Sequence, residues 1–474
     1  MPESDPQDNA PHEDSSRRPR WLWFLAATCT LAILLGLLRN RHGDESAPTP
    51  VSTETTMPGA TVDAPRVERA RRQPRPGIPA PTPTARETVA AKLEQFARSR
   101  QEIVRAMAKR KGVEVSADVD RFFDAVEAGR WEEMQALFDS MRARRGRRPP
   151  ARDLDAIWSP IHETLGVAQE TQKWPAQKLL DYGNAVLDAL RPDMVYVGGT
   201  DPGRFIPTLL NETSGGERRV VLSQNPLADN TYLDYLSFLY ADRFSTLTRE
   251  DSQRASQNYL ADAQRRLEHD QQFPYEPRQV RPGENLRLID GRVEFSGDVA
   301  WMAVNELLLR TLMDKNPNAS FAIEQSYPFT SMYADTRPLG PIMELRVQDE
   351  QNALTHERAA QSADYWRATA QQLLADPEAP AALNTRMAYA KMASEQAALL
   401  DYHHHPAEAE QAYRSASEIW PSCPEAVFRL TDLLIGQHRL EDAFPVAEAA
   451  LNAEPGNRRF HDLIQKLTRL RQGR

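Results

Sequence analysis

The chain has 474 residues, 41% hydrophobic and 26% charged, which leaves room for two or three folded units and excludes wholesale disorder and multi-pass membrane architecture. A net charge of −9 argues against a dedicated nucleic-acid binder, so no nucleic-acid partner is expected. Two cysteines exclude a disulfide framework and a cysteine-rich zinc site.

Residues 1–20 read as a tail that ends in Arg17, Arg18 and Arg20. Trp21 to Leu38 follow, 18 residues without a charge, at the short end of what crosses a bilayer. Trp21 and Trp23 sit where aromatic rings favour the headgroup layer, and Arg39 and Arg41 close the run. Three basic residues before the run against two after it place the N-terminus in the cytoplasm. The competing reading is a cleaved signal peptide, but no small-x-small site follows Leu38, so residues 21–38 are expected to be an uncleaved transmembrane anchor. Residues 39–84 read as a disordered Pro-rich linker, with nine prolines and no aromatic residue between Asp44 and Thr84. The arginines from Arg66 to Arg75 within it read as a solvated stretch of that stalk.

A helical neck is expected over residues 85–150. Thr84 and Glu87 fit a capping box, and Val89, Leu93, Phe96, Ile103 and Met107 recur at helical spacing. Arg100 breaks that stripe and weakens a coiled-coil reading, and Gly112 suits the helix stop. Phe122, Phe123 and Val126 before Gly129, with Trp131, Met134, Leu137, Phe138 and Met141 after it, read as an αα-hairpin with a core stripe. The basic run Arg142 to Arg148, ended by Pro149 and Pro150, reads as a domain boundary.

Residues 151–350 are expected to form an α/β layered, Rossmann-like domain with a largely parallel core. Strands are expected at Met194–Val197, Arg219–Ser223, Ser320–Glu324 and Ile342–Val347, separated by helices. Leu286–Ile289 and Arg292–Phe295 flank Asp290-Gly291, a pair suited to a hairpin turn. Ligands in such sheets gather beyond the carboxyl ends of the strands. There the candidate binding residues are Gly198, Gly199, Thr200, Asp201 and Arg204; Asn225, Asp229 and Asn230; and Glu324, with Ser326 beside it. A carboxylate at Asp201 repels phosphate and suits a cation, an amine or a hydroxyl, and no nucleotide-binding glycine motif is present. The structural alternative is capping: Asp201 ahead of Pro202 at one helix, Asp229 and Asn230 at the next.

The stretch from Trp158 to Val347 resembles the soluble region of bacterial O-mannosyltransferase-like membrane proteins. The resemblance lies in Gly198 to Phe205, Leu227 to Tyr232, and the segments at Asn316-Pro317 and Glu324 to Pro328. The Trp158 to Glu163 lead-in is similar to that of single-anchor tetratricopeptide proteins of Verrucomicrobia-type bacteria. Because the multi-span membrane domain of the first family is missing, sugar transfer is not carried over.

Residues 351–474 are expected to be all-α tetratricopeptide-like repeats. Pro421 and Pro455, Ala409 and Ala443, Tyr413 and Ala447, and Ala416 and Ala450 are each 34 residues apart, a period that resembles the tetratricopeptide repeat. Val427, Leu430 and Leu434 line the first helix of the last repeat, Thr431 stands where Gly is usual, and Arg458 to Leu470 would cap the stack. His403, His404 and His405 lie at an inter-helix turn and read as surface-loop residues, so no metal is assigned; Cys423 reads as an unpaired thiol. No catalytic residue and no cofactor is assigned, and an enzyme is disfavoured. The expectation is a bacterial inner-membrane, single-pass scaffold with periplasmic domains that binds a protein or peptide through its repeats. Its alternative is an enzyme or accessory subunit of envelope glycan or glycoprotein modification that uses the α/β cleft.

Overall fold

Helix α1 (Ala85–Lys111) begins where Thr84 accepts from the Glu87 N–H and Glu87 reaches back to the Thr84 N–H, and it stops at Gly112 in the left-handed conformation. The computed structural model describes residues 82–147, 151–289, 292–345, 354–378 and 382–473. The expected anchor at 21–38, nearly all of the linker, the Arg66 to Arg75 cluster, the Asp290-Gly291 turn and Val347 lie outside them. Among the described residues no helix is long and apolar enough to cross a membrane.

Helices α2 (Ala117–Glu127) and α3 (Trp131–Arg145) form the αα-hairpin, with Phe122, Phe123, Met134, Phe138 and Met141 buried. Helices α4 (Arg152–Lys173) and α5 (Ala176–Ala189) lead into β1 (Val195–Gly198). The chain continues through α6 (Asp201–Glu212), β2 (Val220–Ser223), α7 (Asn230–Tyr240) and α8 (Arg249–Gln272). The strands β3 (Asn285–Ile289) and β4 (Arg292–Ser296) pair antiparallel as a separate ribbon, followed by α9 (Asp298–Lys315) and β5 (Phe321–Glu324). A 3-10 turn (Thr330–Asp335) precedes β6 (Thr336–Leu339) and β7 (Ile342–Leu345). Six helices close the described chain: α10 (His356–Ala375), α11 (Leu383–Tyr402), α12 (Pro406–Ile419), α13 (Pro424–Gly436), α14 (Leu440–Ala453) and α15 (Arg458–Gln472).

The sheet is mixed, which corrects the expected largely parallel core. Its order is β2-β1-β5-β7-β6; β1 runs parallel to β2 and β5, whereas β5–β7 and β7–β6 are antiparallel. The physical reason is the short tie from β6 to β7 at Leu339–Ile342, which holds only a hairpin and no crossover helix. Each strand of this sheet spans four residues, so the described fold is mostly helical around a small sheet.

From Thr84 to Arg474 the chain forms one compact unit, and the boundaries expected at 150 and 350 fall inside it. Two features knit it together. The apolar face of α1 is covered by α4, α5 and α6 of the same chain, not by a second helix of a coiled coil. At the other end, Gln396 on α11 accepts from Trp366 and Ser362 on α10 and donates to the carbonyls of Gly340 and Ile342 in the β6–β7 hairpin.

The helical turns repeat one geometry. The His405 N–H donates to the Leu400 carbonyl across His404 at φ 61°, and 34 residues on Arg439 donates to Leu434 across His438 at φ 61°. Arg130 does the same to Ala125 across Gly129 at φ 64°. Of these three turns only α2–α3 has the glycine that this conformation favours, as the end of α1 has at Gly112. Substituting His438→Gly should therefore raise stability by about 1 kcal/mol in urea unfolding. An unchanged or lower midpoint would show that the His438 side chain compensates.

Candidate functional site

The three strand-end clusters do meet, and they bond to one another. The N–H groups of Gly199 and Thr200, the donors a bound anion would use, both donate to Glu324 Oε2 at 3.0 and 2.9 Å. The Thr200 hydroxyl donates to Glu324 Oε1 at 2.7 Å. Gln224 accepts from the Ser326 N–H, and Asn225 donates to the Gly199 carbonyl and accepts from the Ser326 hydroxyl. Glu324 is buried, which pushes its pKa up against these three donors.

The glycines in this loop are explained by close approach. A Cβ on Gly198 would lie 2.4 Å from the Gly203 carbonyl oxygen, one on Gly199 2.2 Å from the Ser326 N, and one on Gly203 2.0 Å from Glu324 Oε2. Thr200, not Asp201, is the N-cap of α6, accepting from the Gly203 N–H. That corrects the capping expectation by one residue, because the Thr200 hydroxyl can serve Gly203 and Glu324 at once. Asp201 occupies the first helical turn, half open to solvent, and pairs with Arg204 at 2.6 Å. Burial opposes its charge, yet the Arg204 guanidinium holds its carboxyl below the usual range. Arg204 also lies over the Phe205 ring. Asp229 caps α7 through the Thr231 N–H, and Asn230 is the first residue of that helix.

Sequence reasoning missed His162, which reaches the same region from α4. Its ring lies 6.4 Å from that of Phe205, and packing around it together with the Arg204 guanidinium lowers its pKa to about 4. Nothing local in the sequence marks it, since it is one polar residue in an amphipathic helix.

A second concave feature lies elsewhere. A groove of about 1110 Å³ runs between α11, α13 and the 3-10 turn. Tyr333 of the 3-10 turn, Tyr402 of α11 and Tyr413 of α12 supply its aromatic walls. Asp401, Arg429, Asp432 and His404 supply its charged and polar groups. The rings of Tyr333 and Tyr402 meet edge-on at 5.5 Å, and His403 Nε2 lies 2.7 Å from the Tyr333 carbonyl, holding the turn against the repeats. Beneath, Arg429 approaches the buried Glu395 at 3.5 Å, and the Tyr333 hydroxyl donates to Glu395 at 3.4 Å. Burial raises the pKa of Glu395 despite Arg429. Asp401 is the open position. Its exposed carboxylate has no hydrogen-bond or ion-pair partner among the described residues, and the packing around it raises its pKa against the pull of His404 and Arg429.

The residues of the 34-residue period pack inside the repeats, and Tyr413 among them also reaches the groove. Ala409, Tyr413, Ala416, Val427, Leu430, Leu434, Ala443, Ala447 and Ala450 are all buried. Pro421 and Pro455 each follow the end of a second helix, α12 and α14. Thr431, at the usual Gly position, turns its hydroxyl onto the Val427 carbonyl and so fits without an unpaired donor. Cys423 is buried between helices, with its thiol pushed up to about 12 by that burial.

Comparison with known proteins agrees with this part of the molecule. The chain matches no curated protein and no solved structure. Residues 403–467 match the tetratricopeptide repeat family, which spans α12, α13, α14 and most of α15. The matched helices are similar to tetratricopeptide repeats, a module for contact between proteins.

Proposed function

We propose that this protein is a membrane-anchored scaffold that holds an extended segment of a partner protein in the groove between α11, α13 and the 3-10 turn. The observation that carries this is the carboxylate of Asp401, exposed on the inner wall of a groove flanked by three tyrosines and without a hydrogen-bond or ion-pair partner among the described residues. Such a carboxylate is open to a donor from a partner, and a basic side chain laid between aromatic faces would match both the charge and the rings. Tetratricopeptide stacks present their inner helices as a concave binding surface, and Asp401 and Arg429 stand on the inner helices of successive units. The uncharged run Trp21 to Leu38 supports an anchor that carries the groove on a stalk outside the cytoplasm.

The test is peptide selection against the full chain. Peptides recovered from a random display library should be enriched in Lys or Arg. Asp401→Lys should weaken them by about tenfold or more, whereas Asp181→Lys on the exposed side of α5 should leave them unchanged. Peptides that bind wild type and Asp401→Lys equally, or a selection that yields no binder, would overturn the assignment.

A further inference from the structure

The three helical turns carry one recurring side-chain pair, and the middle turn departs from it. In the α2–α3 turn Arg130 pairs with Glu133 at 2.7 Å, and in the α13–α14 turn Arg439 pairs with Asp442 at 2.8 Å. The backbone bonds that superimpose these turns make His405 and Glu408 the equivalent pair in the α11–α12 turn. Arginine, which cannot bind a metal because it keeps its proton, is here replaced by histidine, which can. A third group joins from another helix. His356, at the start of α10, places Nδ1 3.1 Å from Glu408 Oε1, and its ring centroid is 6.0 Å from that of His405.

We propose that His356, His405 and Glu408 form a divalent transition-metal site, with zinc the best match, that ties the start of α10 to the first turn of α12. One ligand atom from each of the three residues lies within 4.8 Å of the other two. Ligand atoms around a tetrahedral zinc ion sit about 3.3–3.6 Å apart, given its bond lengths to nitrogen and oxygen. Closing the site therefore needs a shift on the order of 1 Å, which the exposed His356 can make. One ring nitrogen of His405 is already engaged. Its Nε2 lies 2.7 Å from the Leu354 carbonyl oxygen, a contact only an N–H can make, so Nδ1 carries the free lone pair. A backbone carbonyl on the far nitrogen of a ligating histidine fixes tautomer and ring orientation, the usual second partner of such a ligand. Glu408 is nearly buried and faces His356, so its oxygen is held rather than free in solvent. Two imidazole nitrogens and one carboxylate oxygen suit zinc, nickel or copper and do not suit magnesium. Three protein ligands leave a fourth position for water or for a group of a bound partner.

The experiment uses the full, untagged chain stripped with a chelator. Zinc titrated against a chromophoric competitor should bind with one equivalent per chain, and cobalt should show the ligand-field absorption of a low-symmetry, four-coordinate ion. Magnesium should bind at least tenfold more weakly. His356→Ala, which removes an exposed side chain, should lose at least tenfold in zinc affinity while leaving metal-free stability unchanged. His405→Arg restores the pair found in the other turns, so it should fold, and it should abolish the cobalt spectrum. His404→Ala, outside the ligand set, should bind zinc as the wild type does. Failure of the wild-type chain to take up one equivalent, or zinc affinity unchanged in both His356→Ala and His405→Arg, would overturn the site.

Discussion

Replacing Arg100 with Ala should lower the stability of the folded unit by about 3–5 kcal/mol, measured by urea unfolding of the full chain followed through tryptophan fluorescence. Arg100 is 1% exposed on the inner face of α1. It donates to Glu163 on α4 at 2.7 Å and to Glu212 on α6 at 3.2 Å, and its guanidinium lies 4.4 Å from the centre of the Phe96 ring. Burial alone would push its pKa down; the pull of Tyr235, Glu163 and Glu212 raises it instead, so the charge is permanent. Truncation leaves Glu163 with the Tyr235 hydroxyl alone and Glu212 with only the more exposed Arg218 at 3.5 Å as counterion, so their desolvation is largely no longer offset. Arg100→Met should cost nearly as much, although it fills the volume. Adding Glu163→Gln and Glu212→Gln to Arg100→Met should recover more than half of the loss, because the buried charge is then gone altogether. A single Arg100→Ala variant within 1 kcal/mol of wild type would show that water reaches the carboxylates and that the network contributes little.

Glu324→Ala should cost about 3–5 kcal/mol, since it leaves the Gly199 and Thr200 N–H groups and the Thr200 hydroxyl without an acceptor in a buried place. Glu324→Gln should cost much less, because the amide oxygen can still accept from both N–H groups and the amide nitrogen can donate to Thr200. The pH dependence separates charge from hydrogen bonding. Burial raises the folded-state pKa of Glu324 above its ordinary 4.5, so between these values the folded chain holds more protons than the unfolded chain. Stability contributed by this group is then present below the ordinary value and is lost as pH rises through the folded value. Glu324→Gln should remove that part of the decline, seen as a shallower fall of the urea midpoint above pH 4.5 than in wild type. Parallel curves for the two proteins would mean that the three donors cancel the burial. Gly203→Ala should mimic part of the Ala result, since its Cβ would sit where Glu324 Oε2 now lies.

Several local features of this architecture were legible residue by residue. Thr84 with Glu87, Gly112 and the hairpin about Gly129 are read from residues a few positions apart, and the structure uses them at those positions. The repeat was legible from small residues recurring every 34 positions, because each unit packs on the next through the same helix faces. Arg100 shows the opposite case. In a stripe of apolar residues it reads as an interruption, and its role appears only with Glu163 and Glu212, 63 and 112 residues away. The antiparallel half of the sheet was hidden for a related reason: an apolar run such as Ile342 to Leu345 shows that it is buried and not which way it runs.

The candidate site divides along the same line. Gly198 to Arg204 and Glu324 were picked out for their chemistry, and they do converge. Whether a Gly-rich loop offers its N–H groups to a ligand depends on what else can reach them, and Glu324, 125 residues from Gly199, reaches them first. Likewise His405 reads as one of three loop histidines until the fold brings His356 from another helix beside it. The cap at Thr84, the helix faces and the 34-residue repeat could be read along the chain, because these follow from bonding and packing between near neighbours, whereas the cap at Thr200 also depends on distant Glu324. Which polar groups satisfy one another, as Glu324 and the Gly199 and Thr200 N–H groups do, emerges only in three dimensions, because a donor and its acceptor are matched by distance in space and not along the chain.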